Sequence, residues 1–465
     1  MRSILVAPGP DGAPWTFERV FAACAETPDL VAFDSSGGEP ARWSLVGLRG
    51  EALDGAPTDL LGLRQSLERA GVLPATGRPH GWPPELADAP FCGGFAGALA
   101  YEIGVAGDPI DLPPEPYGFP LLTGSVLRDF ALLDHVGKRL WLILDEAGDP
   151  PVEVREAQFR TRLARTHVLA APRTAGPLVR HTPAFVHRAR VESLRRAVRT
   201  GDVYQANLAH RFTRAVRGHP VALHLLLRRH FPAPYAGYLA LGARGAKGAL
   251  SSHSPELLLR VDGQGIHTRP IKGTAPRALD PTEDAQQARG LLANPKERAE
   301  LAMIVDLARN DLGRVSTPGS VRVEPFGAIE SYAGVHHLVA EVHGELEPTK
   351  DALDALAAVF PGASITGAPK LAAMECIAAL EREGRGFFTG SLGFLSNDGS
   401  AAFNVLIRSP LWRALPGEGE QTPRGELSLR VGGGITFGSD PRAEDEETLH
   451  KARAFLNALD GVERE

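Results

Sequence analysis

Apolar positions along this chain fall in short runs bounded by glycine and proline more often than in long helical stripes. Residues 130–133 and 140–144 are continuous apolar runs around a turn and predict two strands. Residues 187–200 carry apolar positions at helical spacing and stop at Gly201-Asp202, which predicts an amphipathic helix. Residues 241–260 and 262–270 predict paired strands around Asp262-Gly263. From 283 to 309 the pattern is helical, with Leu301, Ile304, Val305, Leu307 and Ala308 on the apolar side. Residues 350–359 and 369–383 predict two more helices, and 387–408 a hairpin turning at Asn397-Asp398-Gly399. Residues 417–425 read as an exposed loop. A strand ending at Gly432-Gly433-Gly434 leads into an acidic helix over 441–459. No segment repeats another. The hairpins favour an α+β fold with antiparallel sheets over parallel units.

The first 165 residues mix short strands with turns. Within them the segment 91–102, Phe-Cys-Gly-Gly-Phe-Ala-Gly-Ala-Leu-Ala-Tyr-Glu, reads as closely packed backbone, since no Gly-Lys-Ser/Thr follows to make a phosphate loop. Residues 170–177 read as a connector. The expected organisation is an N-terminal region at 1–165, a connector at 166–186 and a catalytic domain at 187–460.

Composition narrows the class. At 465 residues, 43% hydrophobic and 23% charged, the chain can bury a large core. Its net charge of -6, with both signs interspersed, argues against a nucleic-acid surface. Cys24, Cys92 and Cys376 are isolated, giving neither a disulfide framework nor a soft-metal site. The start lacks a secretory signal and no stretch offers the roughly 20 apolar residues of a membrane span. A cytoplasmic protein with no membrane or nucleic-acid partner is expected.

The chemistry concentrates in a few places. Lys272 sits in the turn Pro270-Ile271-Lys272-Gly273-Thr274, downstream of Glu256 in Ser254-Pro255-Glu256. Two acidic pairs follow, Glu297 with Glu300 and Glu444 with Glu447. Three-residue spacing puts both members of a pair on nearly one helix face. Two such faces opposing one another can bind a hard divalent ion through oxygen, which suits Mg²⁺; otherwise they are solvated helix faces. The polar run Asp306-Leu307-Ala308-Arg309-Asn310-Asp311 continues a half-apolar helix, as buried partners for such a site would.

Five stretches together resemble the chorismate-utilising enzymes, a family that includes anthranilate synthase component I, aminodeoxychorismate synthase component I, and isochorismate and salicylate synthases. They are residues 201–208, the Ser-Pro-Glu at 254–256 with Pro-Ile-Lys-Gly-Thr at 270–274, 296–313, 361–370 and 432–454, in the family's order. The resemblance implies a fold of two large antiparallel sheets packed face to face with flanking helices. It implies Mg²⁺ held by Glu300 and Glu447, with Glu297 and Glu444 lining the site, and the ring carboxylate of chorismate as the ion's load. Amides near Gly432, Gly433 and Gly434 and the Thr366 hydroxyl would assist. Arg408 matches the arginine that receives the enolpyruvyl carboxylate, and His337 the residue near the ring hydroxyl. Gln205, Thr274 and Lys451 are implied as further substrate contacts.

Within that family two residues discriminate. Members that add water to chorismate carry a lysine where this chain has Gln205, which cannot act as a base near neutrality. Anthranilate-forming members usually carry alanine where this chain has Lys272, whereas aminodeoxychorismate-forming members carry lysine. The chain is therefore expected to aminate chorismate at C4, with Lys272 as nucleophile and Glu256 as general acid. Glu256 alone would keep Lys272 protonated, so another influence must free its amine. No glutaminase context surrounds the cysteines. The resemblance thus implies ammonia from a separate glutamine amidotransferase subunit. It also implies a separate pyridoxal-phosphate lyase that would complete 4-aminobenzoate for folate synthesis. The alternatives are anthranilate synthase component I and a chorismate-binding regulatory paralogue. Ala275, Ala278 and Phe394 depart from the family's usual arginine, glycine and tyrosine. Phe33-Asp34-Ser35, near Arg42-Trp43-Ser44, makes an N-terminal tryptophan pocket conceivable.

Overall fold

Alternation along the strands decides how this molecule layers. The computed structural model describes residues 1–9, 12–34, 36, 42–108, 110–165, 167–242, 248–332, 334–415 and 423–460. Every pairing between its strands is antiparallel among those residues. One sheet runs from Arg173–Arg180 through Gln205–Arg217, Arg424–Ile435, Leu411–Ala414, Gly248–Ser254, Tyr235–Leu241, Val31–Asp34 and Trp43–Ala52 to Leu122–Asp134. The second runs from Gly94–Leu99 through Ser391–Ser396, Ala401–Asn404, Leu257–Asp262 and Gly265–Arg269 to Val335–Glu345. Ile271–Pro276 and Arg322–Ser331 lie along opposite edges of that last strand. The long strand Leu122–Asp134 belongs to both sheets. Its C-terminal half pairs with Arg139–Leu144 and its N-terminal half with Gly94–Leu99.

Side chains on the facing sides, including Leu45, Ala98, Phe130, Leu239, Leu250, Leu392 and Phe394, make the core between the sheets. The outer face of the first sheet packs its other alternation, such as Tyr238, Ala249, Leu427 and Leu429, against helices including Phe17–Ala23, Pro220–His230 and Pro441–Leu459. The outer face of the second is covered by Leu60–Arg69, Pro295–Gly313 and Ala352–Val359. This is the α+β architecture of two antiparallel sheets with flanking helices that the resemblance implies. Among the described residues no helix is long and apolar enough to cross a membrane.

Most expected elements form, with instructive shifts. The expected helix at 187–200 is Ala184–Thr200, closed by Gly201 at φ 83°. The helical stretch expected over 283–309 is two helices, Pro281–Ala293 and Pro295–Gly313. Pro295 cannot continue the first helix but starts the second, and Asn294 caps it. The run expected over 241–260 is split at Pro255-Glu256, and its residues 243–247 lie outside the described residues. The hairpin expected over 387–408 narrows to Ser391–Ser396 and Ala401–Asn404. The 170–177 stretch is a correction: the strand Arg173–Arg180 begins inside it and pairs with Gln205–Arg217. Its Thr174, Leu178 and Val179 supply β-formers that the Gly and Pro of the same segment obscured. Of the expected loop at 417–425, residues 417–422 lie outside the described residues, and Arg424 already begins a strand. Within the segment 91–102, Gly94–Leu99 is a fully buried strand, as its close packing required.

Candidate functional site

Two helices carry the acidic pairs, and both begin in the same way. Asn294 accepts hydrogen bonds from the amides of Lys296 and Glu297 at 3.0 and 3.4 Å, ahead of Pro295. Asp440 accepts from Arg442 and Ala443 at 3.0 and 2.9 Å, ahead of Pro441. Such caps leave Glu297 and Glu444 in first turns, where the helix dipole favours negative charge. The second helix is pinned from behind by Asp445, which is fully buried. Asp445 accepts from Arg180, from His187 Nδ1 at 3.0 Å and from Arg188 at 3.3 Å, while Thr448 meets His210 Nε2 at 2.8 Å. Glu444 is thereby brought against the strand at Gly433, while Glu447 stays exposed beside Lys451.

Those strands approach closely because glycine lines the contact. A Cβ on Gly434 would stand 2.7 Å from Gln205 Nε2 and 3.0 Å from Lys272 Nζ. One on Gly433 would stand 3.1 Å from Glu444 Oε2. Gln205 is buried, and its Oε1 lacks a hydrogen-bond partner. Lys272 and Thr274 lie on the strand paired with Val335–Glu345, with Thr274 opposite His337. The Thr366 carbonyl accepts from the Asn207 amide at 2.8 Å, next to Gln205 on the same strand. The Thr366 hydroxyl donates to the Gly362 carbonyl at 2.9 Å. Lys451 donates to the Gly432 carbonyl at 2.9 Å and pairs with Glu447 at 2.6 Å. Lys296 reaches Glu300 at 3.8 Å.

The electrostatics supply an influence that favours a free lysine amine. Burial drives the proton affinity of Lys272 down; Glu300 and Glu256 oppose this, and Lys451 adds to it. Glu256, 4% exposed, is pushed by burial from the ordinary 4.5 up to about 7, against the Ser364 hydroxyl, Lys272 and the Ile271 amide. Burial also raises Glu300, with Glu297 and Glu447 adding to it and Lys272 and Lys296 opposing. Glu444 is raised by burial and by Glu447. His337 is pushed down to about 3 by burial and by Arg408, whose Nη2 lies 3.4 Å from its Nε2. A neutral His337 therefore accepts from a charged Arg408. Arg408 itself holds φ at 52°, a left-handed backbone that non-glycine residues adopt at a cost.

Among the described residues no three His, Cys, Asp or Glu side chains stand as a ready metal-binding cluster. Two ion pairs stand at this place, Glu300 with Lys296 at 3.8 Å and Glu447 with Lys451 at 2.6 Å. The donor set still fits a hard cation. It is all carboxylate, and its like charges raise one another's proton affinity, while Lys272 and Lys296 offset this at Glu300 and Ser439, Lys296 and Lys451 at Glu444.

The departures find their explanations. Ala278 keeps a negative φ and gives its amide to Asp284 at 3.0 Å, so glycine is not needed there. Asp284 also binds Arg277 and His336, which fixes the end of the Lys272 strand. No spacing in the sequence marks that cluster. Phe394 stands edge-on to Phe33 and Phe91 in the core between the sheets. For Ala275 the structure shows only partial packing against the second-sheet core. Ser35 of the N-terminal segment lies outside the described residues.

Gly434→Ala tests the close approach. The atoms it displaces end flexible side chains, so the melting temperature stays within a few degrees. With Lys272 as the expected nucleophile, displacing it by about 1 Å costs about a hundredfold in turnover. Unchanged turnover in steady-state assay would show that Lys272 need not lie against this strand.

The chorismate binding enzyme family matches residues 58–457. Anthranilate synthase component 1 of Streptomyces coelicolor is 38% identical over 452 residues, covering 92% of this chain and 83% of the relative. Aminodeoxychorismate synthase component 1 of Bacillus subtilis is 38% identical over 347 residues, 73% of this chain and 71% of the relative. The crystal structure of anthranilate synthase component I from Streptococcus pneumoniae superposes with a TM-score of 0.74 at 27% identity, covering 90% of this chain and 92% of that one.

Proposed function

Because this chain belongs to the chorismate binding enzyme family, we propose that it aminates chorismate at ring C4, giving 4-amino-4-deoxychorismate. One observation carries the reading: an amine with lowered proton affinity, Lys272, beside a carboxyl with raised proton affinity, Glu256. The neutral Lys272 amine attacks ring C2 as the C4–oxygen bond breaks and both ring double bonds shift. Glu256 gives its proton to the departing oxygen, which leaves as water, and takes one back from the alkylated amine. Ammonia then attacks C4, both double bonds shift back, and Glu256 returns a proton to Lys272 as its bond to C2 breaks. The ammonium so formed on C4 gives Glu256 its proton again.

Glu300 and Glu447, with Glu297 and Glu444 beside them, would hold Mg²⁺, which supplies charge neutralisation at the ring carboxylate. Thr366 and the strand at Gly432, Gly433 and Gly434 flank that end. Arg408 and His337 face the enolpyruvyl and hydroxyl side, with Gln205, Thr274 and Lys451 as further contacts. Ammonia comes from a separate glutamine amidotransferase subunit. A separate pyridoxal-phosphate lyase takes the product to 4-aminobenzoate, and the setting is cytoplasmic.

A second reading, anthranilate synthase component I, is favoured by the relatives: the Streptomyces protein of that name covers more of this chain than the Bacillus aminodeoxychorismate synthase. Mass spectrometry of products from purified chain, chorismate, Mg²⁺ and ammonium separates the two. The expected product keeps its pyruvyl group and yields 4-aminobenzoate with an added lyase. Fluorescent anthranilate with free pyruvate would favour the second reading. Bound but unconverted chorismate would leave a regulatory paralogue. Glutamine in place of ammonium gives no product from this chain alone.

A further inference from the structure

A cavity of about 20 Å³ adjoins Glu256, and Ser364, Thr268 and Asp311 also line it. It has room for one water. Elsewhere its walls are apolar, among them Leu258, Ile304, Val359 and Val405. The Ser364 hydroxyl is buried there, near enough to Glu256 to lower its proton affinity but without a well-formed hydrogen bond to any described residue, and such groups in native structures are nearly always satisfied by protein or ordered water. Four buried polar groups, Glu256, Ser364, Thr268 and Asp311, thus border a space of water size. The other charged groups facing Glu256 are committed elsewhere. Asp311, on Pro295–Gly313, is held by Lys370 at 2.8 Å and Arg314 at 3.5 Å. Lys272, on Ile271–Pro276, is the proposed nucleophile.

We infer that one ordered water occupies this cavity and joins the Ser364 hydroxyl to the Glu256 carboxyl, which makes Ser364 the positioning residue of the general acid. This rests on the reading of Glu256 as that acid. An acid that gives a proton and takes one back needs a neighbour able to serve both of its forms. A hydroxyl and a water each donate and accept, so they turn to accept from the carboxyl and to donate to the carboxylate without moving heavy atoms. A fixed cation in the same place would favour only the anion.

The test is the titration of Glu256 without substrate, followed by difference infrared spectroscopy with Glu256→Gln as the blank. In Ser364→Ala the midpoint rises by about one unit, the worth of one hydrogen bond to a charged group. Ser364→Thr restores it, and the melting temperature of both stays within a few degrees. Should Ser364→Ala not fold, Ser364→Cys, a weak donor of similar bulk, gives the same rise. An unmoved midpoint in the folded variant overturns the inference. Because no turnover is involved, a chain that fails to aminate chorismate sinks the proposed function and still answers this question.

Discussion

Lys272→Ala loses the para amine by on the order of a thousandfold or more, while chorismate still binds within a few-fold. The asymmetry follows from the geometry. The substrate's carboxylates are assigned to the strand at Gly432, Gly433 and Gly434 and to Arg408, neither of which depends on Lys272. What disappears, on the proposed mechanism, is the atom that attacks C2. Ammonia admitted to the same place attacks C2 itself, so the residual product is the ortho amine or anthranilate. The variant also removes a cation that holds Glu256 down, and its carboxyl rises further. Product identity by chromatography and mass spectrometry, with chorismate binding by calorimetry, reads both halves. Undiminished para amine would remove Lys272 from the mechanism.

Glu256→Gln moves activity and stability in opposite directions. Turnover falls by about a hundred- to ten-thousandfold, because glutamine keeps the shape but has no proton to give. Stability rises on the alkaline side. In the unfolded chain this carboxyl titrates at the ordinary 4.5, and in the folded protein at about 7. The folded state therefore holds the proton more tightly. The stability so gained is complete below pH 4.5 and is lost as pH climbs through 7. At pH 8 the native protein carries a buried anion that costs about 3 kcal/mol, and the glutamine variant is relieved of it. Denaturant unfolding at pH 5 and pH 8 measures this: the variant's advantage appears at pH 8 and shrinks at pH 5. Equal stability of the two proteins at pH 8 would mean that Glu256 is not ionised at a cost there. The wild-type pH–rate profile has the same origin, since an acid that must be protonated loses activity as pH rises through about 7.

The chain's own pattern announced much of this site and left out its physics. Asn294-Pro295 and Asp440-Pro441 are local capping signals that place Glu297 and Glu444, one member of each acidic pair, in first turns, yet the helical pattern over 283–309 masked the break at the first of them. The ordered motifs around Lys272, Arg408 and Gly432 gave the architecture. Burial was not legible. It depresses Lys272 and raises Glu256, yet it arises from sheets whose strands lie far apart in the sequence. Ser364 stood inside a recognised segment, but its unsatisfied hydroxyl exists only in three dimensions. Asp445 read as one more acid in an acidic helix, and only the approach of Arg180 and His187 shows that it faces inward. The Arg173–Arg180 strand was hidden because its hydrogen bonds are supplied by a partner, not by its composition.

The sharing of Leu122–Asp134 between the sheets sets a clock on synthesis. Gly94 pairs with Ser396, and Val31 with Leu239. A ribosome adding about 5–20 residues per second finishes the partner of Gly94 on the order of 15–60 s after Gly94 itself. Leu122–Asp134 covers one edge of this apolar, glycine-rich strand early, but through that interval the other edge stays bare, open to pairing with a neighbouring chain on the same message. Yield in a cell should therefore respond to chaperone supply and to translation speed well before it responds to any residue of the active site.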